Sequence, residues 1–263
     1  MTGTRDTRRM AAAVGELVRD WRTRRRRSQL DLALDVGVSA RHLSFVETGR
    51  SRPSPELLLL LAERLDVPLR ERNTLLLAAG YAPRYGHTQL DDESMRHVRA
   101  SVQRLLDAHD PYPGVAVDRR WDVVLANRAA GALTAGVAPE AIGDRLNVYR
   151  VCLHPAGLAA RTRNFPEWAA YLLDQLRRTV VLTGDRGVAA LEAEVRAYPN
   201  VAALAPRPVP DEPPVLVPLQ LDGLSLFTTI TTFGTPRNIT VDELAVELFF
   251  PADDATEAAL RRS

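Results

Sequence analysis

The sequence contains no lysine: all 34 basic residues among its 263 positions are arginine. The planar guanidinium fork favours bidentate contacts to phosphate and guanine over the point charge of an ammonium. Coding bias in a GC-rich genome is the larger cause of so complete a replacement. Cysteine occurs once, at Cys152, which excludes an internal disulfide and any all-cysteine metal cage. That usage fits a reducing cytoplasm. No run approaches the roughly 18 consecutive apolar residues of a membrane span, and the N-terminal MTGTRDTRRM lacks the apolar stretch of a secretory signal. The HExxH, phosphate-cradling glycine-loop and GxSxG patterns are missing too. No catalytic residue, metal ligand or cofactor is therefore expected, and the protein is not expected to be an enzyme. Cys152 and His154 would share a face only in extended chain; Cys152, in an apolar run, reads as an inert buried thiol.

What is present is the composition of a globular chain, 46% hydrophobic and 25% charged, long enough for two ordinary domains. The net charge of +1 conceals an asymmetry. Residues 1–85 carry 16 arginines against 10 acidic residues, and residues 86–263 carry 18 against 23. The first third is the part suited to a polyanion.

Local patterns divide that third into five short helices. Val14, Leu17, Val18 and Trp21 make an apolar stripe over 10–26. Ser28 and Ser39 read as N-caps of two further helices, with Gly37 and Gly49 as their stops. SPELLLLLAERLDVP is a capped apolar helix ended before Pro68, and 70–79 form one more. Within 28–54, Gly37 supplies the left-handed residue of a tight helix–helix turn. Val38, Leu43 and Val46 bury the following helix and leave Ala40, Arg41, Ser44 and Phe45 facing outward, where a recognition helix meets base edges.

This segment resembles the helix-turn-helix of the XRE regulators, relatives of lambda-type repressors. Gln29, Leu32-Ala33, Gly37-Val38-Ser39 and Glu47-Thr48-Gly49-Arg50 meet that pattern, followed by Pro53. The resemblance implies a lambda-repressor-like domain reading double-stranded DNA. Gln29 would bind phosphate at a helix N-terminus. Arg41 and Ser44 would read bases, and Phe45 would touch a thymine methyl. Arg50 and Arg52 would hold the backbone, with Ser39, Ala40 and His42 on the same surface. Each such head reads a half-site, so the expected partner is an inverted-repeat operator bound by a homodimer.

The remaining residues read differently. A helix over 91–109 carries Met95, Val98, Val102, Leu105 and Leu106 on one side. VAVDRRWDVVLAN is two short strands running into a helix near 127–134; 165–180 and 185–197 are helices; 203–214 is a proline-rich loop. VLVPLQLDGLSLFTTITTF is a β-hairpin turning at Asp222-Gly223. The class is α+β with an antiparallel sheet. PYPGVAVDRRWDVVLANRAAGAL (111–133) resembles the start of the MmyB-like ligand-binding domain, and 146–168 and 233–253 are similar to further segments of those regulators. The resemblance implies a PAS-like fold enclosing an apolar pocket for a small, fatty-acid-like ligand. The expected division is 1–85 for DNA binding, 86–110 as a linker helix and 111–263 for ligand binding and dimerisation. Alternation along the hairpin places Phe227, Thr229, Thr231 and Phe233 on one face. Trp121, His154, Arg163, Trp168, Phe227, Thr229 and Phe233 are the expected pocket residues. A second reading gives this half only dimerisation or a protein partner.

Overall fold

The computed structural model describes residues 3–205 and 215–262, with side chains described from residue 12 onward. Most of the proline-rich 203–214 stretch lies outside the described residues. The chain forms two compact units, Met1–Thr88 with Thr235–Asp242, and Gln89–Gly234 with Glu243–Ser263.

The first unit is helical: α1 (Gly3–Arg24), α2 (Gln29–Asp35), α3 (Ala40–Glu47), α4 (Pro55–Arg64) and α5 (Leu69–Ala78). Serine hydroxyls start three of them. Ser28, Ser39 and Ser54 accept the backbone N–H groups of Asp31, His42 and Leu57, each satisfying one orphan donor of a helix end. Pro68 before α5 has no side-chain oxygen to offer, and Asp242, far along the chain, accepts from Leu69 N at 3.0 Å instead. The segment carrying Asp242 also ties Ile239 N to the Gly86 carbonyl at 2.8 Å.

The opposite helix ends are closed by arginine. Arg25 donates to the Leu65 and Asp66 carbonyls beyond α4, at 2.8 and 2.9 Å. Arg52 donates to the Ala79 carbonyl beyond α5 at 2.9 Å, and Arg22 to the Arg27 carbonyl beyond α1 at 2.8 Å. Cations are favoured at carbonyl-rich helix termini, and a fork reaches two carbonyls at once.

Val14, Val18, Leu32, Ala33, Leu43 and Leu58 are among the side chains of one core. Gly15 lets α1 and α3 touch: a Cβ there would lie 2.4 Å from the Val46 carbonyl oxygen. Alanine would gain about 1 kcal/mol of helix propensity, but the obstacle is rigid backbone. Gly15→Ala is expected to destabilise the unit by a net 1–3 kcal/mol or so, seen as a lower melting temperature by far-ultraviolet circular dichroism.

The second unit begins with α6 (Arg96–Ala108), then β1 (Gly114–Val117), β2 (Val123–Ala126), α7 (Arg128–Leu133), α8 (Pro139–Ile142) and α9 (Val148–Leu153). It continues through α10 (Phe165–Thr183), α11 (Arg186–Arg196), α12 (Pro199–Ala202), β3 (Leu219–Leu221), β4 (Leu224–Thr232), β5 (Ala245–Pro251) and a last helix, Asp254–Leu260. The five strands form one antiparallel sheet in the order β2-β1-β5-β4-β3. The β3–β4 turn is the expected Asp222-Gly223 pair, with φ of 49° and 84°, the left-handed values of a two-residue hairpin turn. The hairpin starts later than its apolar run, because Pro218, just before β3, has no N–H for a ladder.

The sheet is covered on both faces. Val102 and Leu106 of α6, the helix expected at the junction, pack on Ala116 and Val246. Leu105, expected on the same stripe, is exposed. The other face carries the larger core, in which Leu219, Leu226 and Phe249 meet Tyr149, Leu153, Trp168 and Leu176 of the helical layer. Asn127 pins the corner between α6, β1 and α7. Its amide donates to the Leu106 and Tyr112 carbonyls, and its oxygen accepts from Gly114 N and Ala130 N.

Candidate nucleic-acid interface and ligand cavity

The turn between α2 and α3 adopts the predicted shape, with Gly37 at φ 71°. Leu43 and Val46 are buried, and Val38 packs on the same core. Arg41 projects from α3 into solvent, and Ser44 and Phe45 are half-buried beside it. The guanidinium groups of Arg41 and Arg50 lie over the Phe45 ring, 5.3 and 5.8 Å from its centroid. This attraction holds two cations and an apolar ring as one patch. Ser39 and His42 sit at the start of α3, where the Ser39 hydroxyl takes the His42 N–H at 3.1 Å.

Beneath this surface is a buried ionic knot. Glu47 receives Arg22 Nε and Nη2 at 2.6 and 2.9 Å, and Gln29 Nε2 at 2.7 Å. The side chain of Glu47 is 1% exposed. The paired carboxylate raises the pKa of Arg22 above its ordinary value. Gln29 is thus aimed by Glu47, and its second amide hydrogen meets no partner among the described residues. Sequence reasoning had Glu47 only as a motif position and missed Arg22, whose partner lies 25 residues away.

Two expectations change. Ala40 does not stand free on the outer surface; it is half-buried and packs against the core. Arg52, expected to serve the DNA backbone, is engaged at the end of α5 and lies over the Tyr81 ring, 4.4 Å from its centroid. Its first task is structural.

In the second unit, a cavity of about 60 Å³ lies between the sheet and the layer of α7 and α9, lined by Val115, Ala130, Val148, Cys152, Leu219 and Phe249 among others. None of the seven expected pocket residues lines it. Phe227 stacks on Phe250 at 5.5 Å, on the α6 face of the sheet. Thr229, on that same face, is exposed, as are Phe233 and Arg163. Trp168 is core, and its N–H faces the Cys152 thiol without a full hydrogen bond. Trp121 packs edge-on against Tyr149 at 5.1 Å. His154 borders a separate polar cleft with Arg150 and Glu194, where those two charges pair at 2.7 Å. The alternation of β4 is as expected; the face that meets the cavity is the opposite one, carrying Leu226 and Thr228.

Cys152 lies in helical α9, not in extended chain, so it and His154 do not share a face. Burial first, and then the charge of Glu247, push its thiol up to about 12, which leaves no thiolate near neutral pH. Among the described residues no cluster of metal-ligating side chains occurs, and no helix is long and apolar enough to cross a membrane.

A serine-capped helix pair with a left-handed glycine turn, followed by an α+β unit with a half-open apolar cavity, is the arrangement of a DNA-binding transcription regulator with a ligand-binding domain, and two family matches agree with it. A helix-turn-helix family matches residues 18–72. The MmyB-like transcription regulator ligand binding domain matches residues 98–262, more than half of the chain, and the protein belongs to that family. No curated protein matches it.

Proposed function

We propose that the protein binds an inverted-repeat operator as a cytoplasmic homodimer, with α3 in the major groove, and that a small apolar ligand in the sheet cavity changes its DNA affinity. The observation that carries the DNA reading is the Arg41–Phe45–Arg50 patch on a helix whose inner face is fully engaged. Arg41 and Ser44 read base edges, Phe45 offers apolar contact, and Arg50 and the free hydrogen of Gln29 hold phosphate. Arg41→Ala is expected to relax sequence preference and cost about 1–3 kcal/mol at one base pair, measured by binding to an operator library at fixed salt. An unchanged preferred site would overturn this orientation of α3.

The coupling has a physical route. The connector between β4 and β5 packs within the DNA-binding unit, where Asp242 caps α5. A ligand that shifts β5 bears on that segment through the chain itself. Such a ligand acts only by differing in affinity between two states. One observation favours the second reading, in which this half serves dimerisation or a protein partner. A volume of about 60 Å³ is small beside the roughly 300–1,000 Å³ of pockets for drug-sized ligands.

A further inference from the structure

β4 runs on beyond its outer neighbour β3 with a segment that reads the same in both directions. Residues 227–233 are Phe-Thr-Thr-Ile-Thr-Thr-Phe, centred on Ile230. β3 covers only the first part of β4, and its last pair is Leu219 with Leu226. Main-chain groups along an antiparallel strand face alternate sides. The Ala252 N–H bonds the Ser225 carbonyl from the β5 side, so the odd-numbered residues of β4 serve β5. The even-numbered ones face the other edge, where β3 takes those of Leu224 and Leu226. Thr228, Ile230 and Thr232 are left with N–H and C=O groups that meet no main-chain partner among the described residues. Residues 229–233 are exposed, Ile230 by 42% and Phe233 by 37%. Open edges are ordinarily blunted by charge, proline or a bulge. This one carries no charged residue and no proline, and its register with β5 is unbroken from Leu226 to Thr232.

We propose that two copies of the protein join by pairing this stretch of β4 antiparallel with itself, the two-fold axis passing at Ile230, so that two sheets become one. This rests on the homodimer reading and places its interface. In that register Ile230 exchanges both main-chain bonds with its own counterpart, and Thr228 does so with Thr232 of the second copy. Every open N–H and C=O of the edge is then satisfied. Between these pairs Thr229 faces Thr231, and Phe227 faces Phe233, at the closer spacing of non-bonded neighbours. Threonine pairs and aromatic pairs are favourable across strands. Phe227 already stacks on Phe250, and Phe233 of the second copy extends that stack. A shifted register sets phenylalanine against other residues. The second strand ends at Thr232, opposite Thr228, and so stops short of the β3 that begins opposite Leu226. The symmetry of the segment favours a second copy over a foreign strand. The chain's own 206–214 stretch holds five prolines, which have no N–H to give to a ladder. Because these main-chain bonds replace bonds to water, the dissociation constant is expected in the micromolar range.

Sedimentation of the full-length protein over a concentration series gives the association constant, and substitutions at the axis test its place. Ile230→Lys sets like charges against each other across the axis and is expected to weaken dimerisation at least about tenfold. Ile230→Cys is expected to cross-link to its own counterpart under oxidised glutathione, because bonded neighbours in an antiparallel pair lie about 5.5 Å apart at Cα, within disulfide range. Thr232→Cys puts the two thiols about 14 Å apart along the strands and should not cross-link. The native Cys152 is buried and stays a thiol. A dimer that Ile230→Lys leaves unweakened, or that Ile230→Cys fails to link, would overturn the β4 interface and leave the homodimer reading standing. A wild type still monomeric at about 100 μM would overturn both and return the edge to a foreign strand. Should the lysine variant fail to fold, the two cysteine variants decide the matter alone.

Discussion

Glu47→Ala is expected to destabilise the DNA-binding unit by about 3–5 kcal/mol, the range for removing one partner of a buried ion pair. Three hydrogen bonds end on this carboxylate. Without it, the Arg22 guanidinium, 13% exposed as a side chain, keeps only the Arg27 carbonyl among the described residues. The seam affected joins α1 to α3, where Gly15 already brings the backbones into contact. Hydrogen exchange of the full-length protein, read by mass spectrometry over 40–47, should accelerate roughly 100- to 4,000-fold if those amides exchange by opening of the unit. Unchanged protection would mean that apolar packing alone holds the seam. The pair Arg22→Met with Glu47→Leu should be far milder, because a well-packed apolar replacement leaves no charge stranded. That double variant should still lose DNA affinity, since Gln29 no longer has an acceptor to aim it. The two results together separate holding the fold from positioning a phosphate contact.

The helices of this unit were legible because their limits are written in adjacent residues. Ser28, Ser39 and Ser54 act within three positions of their own, and Gly37 needs only its own backbone to turn the chain. The arginines were not legible in the same way. Arg22, Arg25 and Arg52 find partners 25, 40 and 27 residues away. Nothing in the local spacing distinguishes these from the exposed Arg41. A basic composition thus overstates the charge free to meet DNA: part of it closes the carbonyl ends of helices.

In the second unit the Asp222-Gly223 hairpin was readable and the direction of its faces was not. Alternation states which residues share a face, but the covering layer comes from α9 to α11, and no residue of β4 encodes that. Phe227 looked like a pocket aromatic and stacks on Phe250 on the other face. β5, which joins β1 to β4 at the middle of the sheet, was noticed only as part of a resembling segment. Its one clear signal was Glu247 itself, an acid in the apolar run AVELFF at a position that alternates inward with Ala245 and Phe249.

The stability of the ligand-free protein should fall as the pH rises, and Glu247→Gln should remove that part of the fall. A carboxyl with an ordinary pKa of 4.5 is held at about 7 by burial in the folded chain. The folded state therefore binds the proton more tightly than the unfolded state. Protonated Glu247 is accommodated fully below about pH 4.5, and the penalty grows until the pH passes about 7. Its full size is about 3 kcal/mol by linkage. Glutamine has the shape of the neutral acid and no charge to desolvate. In urea unfolding followed by circular dichroism, the two proteins should be alike near pH 4.5, while at pH 8 the variant should be more stable by up to about 3 kcal/mol. The difference between the curves isolates this group, because every other titrating side chain is common to both. Cys152 and Tyr149, which feel its charge, are pushed upward by burial and stay neutral through the window. Parallel curves would show that Glu247 is solvated or paired in solution.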